Sequence, residues 1–122
     1  MKPIFHSVKI VEKGWGREVW LANNEEYCGK LLEFKAGKRF SLHYHLLKRE
    51  TFYVLQGTLD LFFPDTGTGK RLGKRLEPGD AVEIPRGMPH QILAVTDATI
   101  IEVSTHHEDA DSYRVEPGDS QQ

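Results

Sequence analysis

His43, His45, Glu50 and His90 offer three imidazoles and one carboxylate, a donor set for a divalent metal. In His43-Tyr44-His45 the two rings share one face of a strand, because side chains two positions apart point the same way, while Phe40, Leu42 and Tyr44 take the opposite face. Glu50 follows across Leu46-Leu47-Lys48-Arg49, a span long enough to turn the chain back beside the first strand. His90 comes after Pro85-Arg86-Gly87-Met88-Pro89, where proline and glycine force a bend that delivers a third imidazole from a neighbouring strand. Nitrogen and oxygen donors in this ratio suit Mn, Fe, Co, Ni, Cu or Zn and select none of them. A six-coordinate ion held by this set keeps about two positions for water or substrate, which favours a catalytic or ligand-binding site over a purely structural one.

Such ligands must be carried by short strands. Apolar stretches alternate with turn residues throughout the chain and no long segment has a helical period, which predicts an all-β sandwich or barrel with little helix. The expected strands are Val8 to Val11, Arg17 to Ala22, Cys28 to Phe34, Arg39 to His45, Glu50 to Gln56, Thr58 to Phe63, Gly73 to Leu76, Ala81 to Ile84, His90 to Val95 and Thr99 to Ser104. Residues 1–27 are read as strands packing on the barrel, 28–105 as the barrel, and 106–122 as a polar tail whose last residues fray. Pro64-Asp65-Thr66-Gly67-Thr68-Gly69-Lys70-Arg71 reads as an exposed hairpin loop. Its Gly-Thr-Gly-Lys core is no phosphate loop, since Pro64 stands where glycine is needed and Arg71 where Ser or Thr is needed.

The 122 residues suffice for one self-supporting domain. With 16 basic and 18 acidic residues, the formal charge of -2 offers no field for nucleic acid or an anionic membrane. Small molecules or proteins are the expected partners. Cys28 is the only cysteine, so an intrachain disulfide and a zinc-thiolate cluster are excluded, and a reducing compartment fits. The opening Met1-Lys2-Pro3-Ile4-Phe5-His6 lacks a signal-peptide core and no membrane-length apolar run follows, so the expected location is cytoplasmic.

The pattern Gly37-x5-His43-x-His45-x4-Glu50-x6-Gly57, followed by Gly79-x5-Pro85-x-Gly87-x2-His90, resembles the two signature motifs of the cupin superfamily. The resemblance covers roughly residues 28 to 105, departing at Ala94, where the second motif often ends in Asn. It implies a jelly-roll β-barrel (double-stranded β-helix) with one metal held by His43, His45, Glu50 and His90, commonly in a homodimer. Beyond the ligand motifs, Gly14-Trp15-Gly16-Arg17-Glu18-Val19-Trp20-Leu21 is similar to the opening of mannose-6-phosphate isomerases. Tyr27 to Phe34, Ser41-Leu42 and Gly57-Thr58 resemble the type II cupin domain of that group, and Glu108 to Arg114 resembles the acidic stretch ending in arginine that follows its last strand. His43 departs from the Gln often found there.

This resemblance implies a sugar or sugar-phosphate aldose–ketose isomerase. Glu102 shares parity with Ile100 and Ser104, so an inward face would place its carboxylate in a dry pocket as general base. Lys30 alternates with Leu32 and Phe34; it either projects inward as a second catalytic group or snorkels to the rim. Ser41 shares the parity of the histidines, and Arg86 and Arg114 are candidates for a substrate anion, since a guanidinium fork matches phosphate or carboxylate. Phe52 and Trp20 are expected in the core, and His106 and His107 as a solvated pair. Two other functions use the same metal set: a dioxygenase, which would consume oxygen, and a non-catalytic sugar-binding module, in which Glu102 would be dispensable.

Overall fold

The computed structural model describes residues 1–121, whose regular structure is almost entirely β-strand; Gln122 lies outside the described residues, and with it the end of the tail expected to fray. The strands are β1 (Lys9–Lys13), β2 (Gly16–Asn23), β3 (Cys28–Phe34), β4 (Leu42–Tyr44), β5 (Glu50–Gln56), β6 (Leu59–Pro64), β7 (Arg71–Leu76), β8 (Ala81–Ile84), β9 (Gln91–Ala94), β10 (Ala98–Ser104) and β11 (Tyr113–Glu116). Short 3-10 turns at Asp109–Asp111 and Asp119–Gln121 are the only helical elements among the described residues. No helix there is long and apolar enough to cross a membrane.

The fold is a jelly-roll barrel of two facing sheets. One has six strands in the order β1-β2-β3-β10-β5-β8. The other is built from β7-β6-β9 and β11-β4, joined by bridges at Arg39↔Leu93 and His43↔His90. All named pairings are antiparallel. Period-2 alternation decides which residues face inward: on β3, Cys28, Lys30, Leu32 and Phe34 are buried while Gly29, Leu31 and Glu33 are only partly so. Between the sheets pack Trp15, Phe34, Phe40, Phe52, Leu59, Ile84, Ile92 and Ile100, each fully buried apolar side chain contributing about 1.5–3 kcal/mol. Trp15 stacks on Phe34 with centroids 4.5 Å apart.

Three expectations need correction. The strand expected over Arg39 to His45 is regular only at Leu42–Tyr44. The irregular stretch before it breaks parity, so Phe40 turns inward against Phe34 and His43 instead of lying on the opposite face. The segment after Ser104 is more than a solvated tail, since β11 pairs with β4 and places Arg114 opposite His43. Farther on, Gly118 crosses the Phe40-Ser41 backbone so closely that a Cβ would stand 2.4 Å from the Phe40 carbonyl carbon. Asp119 then exchanges hydrogen bonds with Arg39: its backbone N–H donates to the Arg39 carbonyl (3.0 Å), and its carboxylate accepts from the Arg39 N–H (2.7 Å). These bonds bind the tail across the barrel mouth, where Ser112, Arg114, Ser120 and Gln121 become walls of the central cavity.

Candidate metal centre

β4 carries His43 inward, the loop after it carries His45, and the bridge His43↔His90 sets the third imidazole alongside. One ring nitrogen from each of the three lies within 4.8 Å of the others, a group that could hold a metal ion. His90 is fully buried and His45 is 5% exposed. Each Nδ1–H donates to a backbone carbonyl: His43 to Ser41 (2.7 Å), His45 to Asp111 (2.9 Å) and His90 to Met88 (2.9 Å). A carbonyl only accepts, so the Nδ1 atom bears the proton and each Nε2 keeps a free lone pair. Fixing the tautomer through the far nitrogen is how proteins orient metal-binding imidazoles.

Burial, then the neighbouring His90 and His45, push His43 down to about 3. Burial, then the Lys48 ammonium, also lower His45. Both rings are therefore neutral at neutral pH, the form that binds metal. Phe40 and Phe52 flank the cluster, with Phe40 5.1 Å from His43 and Phe52 6.0 Å from His90 by ring centroids, which keeps that side dry.

Glu50 enters from β5, 2% exposed, with Oε1 3.2 Å from His90 Nε2 and Oε2 3.7 Å from His45 Nε2. It stands beside the three-histidine group rather than within it. Burial works to raise its pKa, but the Lys48 ammonium, 2.9 Å away, outweighs that and holds the carboxyl well below its usual range. His90 Nε2 and Glu50 Oε2 are buried without a hydrogen-bond partner among the described residues, although Glu50 Oε2 makes an ion pair with Lys48. Orphaned buried polar atoms are rare and unfavourable; the bare Nε2 lone pair of His90 is one, and a divalent cation at the histidine cluster would satisfy it. The residues present fit such an ion.

Glu102 and Lys30 are paired across β10 and β3 and both face inward, 3% and 1% exposed. Lys30 does not snorkel: its ammonium lies 4.2 Å above the Trp20 ring and 3.5 Å from Glu18 Oε1. Ser104 Oγ donates to Glu102 Oε2 (3.0 Å). With Glu18, Ser41, His43, His45, Lys48, Glu50 and Arg114 they line a cavity of about 120 Å3. Ser41 Oγ is 3.1 Å from His43 Nδ1. Arg86, in contrast, is exposed outside this cavity, its Nε–H donating to the Leu47 carbonyl (2.8 Å), so it is not brought to the site. Trp20 also departs from expectation: it is half-buried at the cavity's edge, its indole N–H donating to Glu18 (2.8 Å).

Three residues of the site were not expected there from the sequence. Lys48, in the turn between the ligand strands, is 4% exposed and inserts its ammonium between Glu50 (2.9 Å) and Glu102 (3.2 Å). Asp111 is 5% exposed and accepts from the backbone N–H groups of Leu46, Leu47 and Lys48, fixing that turn, while its carbonyl orients His45. His107 is no solvated residue: its Nδ1 lies 3.1 Å from the Lys48 ammonium, Nε2–H donates to Asp109 (2.9 Å), and burial, then Lys48 and Lys30, push it down to about 4. The one sequence signal for Asp111 is its place in the acidic stretch ending at Arg114.

The family model of the cupin domain matches residues 30–106. A search of curated proteins finds no match. Among solved structures, the capsular polysaccharide assembling protein CapF of Staphylococcus aureus superposes with a TM-score of 0.78 at 21% identity, covering 92% of this chain and 32% of that one. Oxalate decarboxylase of Bacillus subtilis gives 0.75 at 17% identity, covering 88% and 30%. KdgF of Halomonas sp. gives 0.69 at 24% identity, covering 86% and 90%. The chain thus spans about a third of the first two, and the likeness speaks for the fold.

Proposed function

Because the chain belongs to the cupin family, we propose that it is a metal-dependent isomerase of sugars or sugar phosphates, with His43, His45, Glu50 and His90 as the ligands of one divalent metal. The observation that carries the metal is the set of three Nδ1-anchored imidazoles converging beside Glu50. The Bacillus subtilis oxalate decarboxylase, which shares the fold, has Mn(II) centres. A bound divalent ion would supply an electrophile for a carbonyl or hydroxyl oxygen.

The proton work falls to the chain. Glu102 is inside the cavity, an acceptor with Ser104 and Lys48 holding one oxygen; as general base it takes the proton from C2 of an open-chain aldose and returns it to C1. Lys30 donates to a substrate oxygen. Ser41 contacts the sugar near His43. Arg114 is exposed at the mouth with no ion pair among the described residues, placed to grip a phosphate or another anionic end. Arg114 lines the same cavity as His43 and His45, so a sugar whose reacting end lies at the histidines can leave its charged end at Arg114.

Incubating metal-loaded protein with hexose and pentose phosphates should yield ketose phosphate without oxygen uptake. Glu102→Gln should lower turnover by roughly 10²–10⁴-fold, the usual worth of a general base, while the sugar still binds. Oxygen consumption would point to a dioxygenase instead, and unchanged sugar affinity with no turnover in either protein to a binding module.

The outer face of the six-stranded sheet supports a homodimer. Ile10, Val19, Leu31, Ile101 and Tyr53 stand in register across β1, β2, β3, β10 and β5. Ile10 and Tyr53 are 50% and 41% exposed, and the arm before β1 leaves Ile4 and Phe5 each 90% exposed. Sedimentation should give twice the 13.9 kDa chain mass, and Tyr53→Lys should return a monomer; a monomeric parent protein would refute the dimer.

A further inference from the structure

Lys48 is the least expected group in the cavity. A buried ammonium persists only when it is paired, and this one has three partners: Glu50 Oε2 at 2.9 Å, Glu102 Oε2 at 3.2 Å and His107 Nδ1 at 3.1 Å. Its placement is not accidental, because the Asp111 carboxylate accepts from the backbone N–H of Lys48 and of the two residues before it. The turn is thereby fixed with the side chain aimed inward. His107 is set to accept from the ammonium, since its other nitrogen donates to Asp109.

Glu50, the fourth proposed ligand, is therefore shared. One oxygen faces His90 and the other is engaged by an ammonium. Glu50 and Glu102 together bring two negative charges to this end of the cavity, and Lys48 cancels one of them. A divalent cation would meet a remainder of one negative charge, together with a like-charged neighbour on the carboxylate it must bind. Without Lys48 the two carboxylates would match the ion's charge. Like charges this close in a buried site repel strongly, because little water screens them.

Resting on the metal reading above, we propose that Lys48 is a built-in competitor for the cation: its ammonium substitutes for the metal on Glu50, must give up that carboxylate when the ion binds, and so sets the site's affinity. Glu102 and His107 keep the displaced ammonium paired. This makes Lys48 a positioning residue that lets the chain fold without metal and release it reversibly.

The test is calorimetric titration of the metal-free protein with Mn2+ and with Zn2+, with circular dichroism to verify folding. Lys48→Met should bind either ion at least about tenfold more tightly than the parent, a change of roughly 1.4 kcal/mol. Lys48→Arg, which keeps the charge, should stay within about threefold of the parent. If Lys48→Met does not fold because two buried carboxylates lose their partner, the comparison moves to Glu102→Gln and Glu102→Gln/Lys48→Met. The double variant should then bind about tenfold more tightly than the single one. Equal or weaker binding on loss of Lys48 would overturn the competitor role, leaving the metal site standing. A folded parent that takes up neither ion would remove the metal reading itself.

Discussion

His90→Ala is expected to remove most of the metal response of this protein while leaving its metal-free fold nearly intact. In the parent, an ion at a thousandfold excess over its dissociation constant should stabilise the fold by about 4 kcal/mol, read as a rise in melting temperature. Removing one of the converging imidazoles should weaken binding by at least about a hundredfold, and the rise at the same concentration should fall to about a third of the parent's or less. The metal-free protein should melt close to the parent, because His90 brings an unpaired Nε2 into a fully buried position and its loss removes that unfavourable group along with its packing. A variant that still gains the parent's increment with Mn2+ or Zn2+ would show that the ion binds elsewhere. Among the described residues the histidine cluster is the one group whose nitrogens converge in this way, so the experiment is decisive for the site.

The sequence makes the ligands legible because their spacing is a local matter. His43 and His45 are two residues apart on a strand, and Glu50 begins the strand that follows the turn. The inward set on β3 and β10 follows from alternation alone, and Lys30 and Glu102 lie where it puts them. What parity leaves open is whether a charged residue on the inner face stays there. That depends on partners from distant segments: Lys30 on Glu18 and Trp20, Glu102 on Lys48. Lys48 itself sits among Leu46, Leu47 and Arg49 in a turn, where a lysine is ordinarily solvated. Only the approach of Asp111, 63 residues away, makes it an interior residue. The same long-range closure hid β11 and misplaced His107, since no periodicity within residues 106–121 reveals the strand they pair with.

That closure couples the tail to the metal centre. Asp111 is not among the walls of the central cavity, yet it holds the turn carrying Lys48 and, through its carbonyl, the tautomer of His45. Gly118 and Asp119 then lock the following segment over Phe40 and Ser41. The four proposed ligands come from the barrel, and the orientation of His45 is partly imposed by Asp111, outside the region that the cupin-domain model matches.

Acid should expose this arrangement before it protonates most carboxylates. His43 is pushed down to about 3 and His107 to about 4 in the folded protein, whereas an imidazole in the unfolded chain titrates near ~6.5. Between those values the unfolded chain binds protons that the folded one refuses, so stability falls as pH falls. The contribution of these residues is fully present above about pH 6.5 and is lost progressively towards pH 3 to 4. Glu50 and Asp111, both held below their ordinary values, act in the same direction but only below about pH 4.5, where unfolded carboxyls begin to protonate. The window from about pH 6.5 to 4.5 therefore belongs to the histidines. Metal-free protein should lose on the order of 10 °C of melting temperature across it, and saturating Mn2+ or Zn2+ should carry the loss to lower pH, because protons must displace the ion first. His43→Gln and His107→Gln should each flatten the slope. A slope untouched by both substitutions would mean that the acid response arises elsewhere, and that these imidazoles are not held neutral by burial, beside His90 and His45 for the one and beside Lys48 and Lys30 for the other.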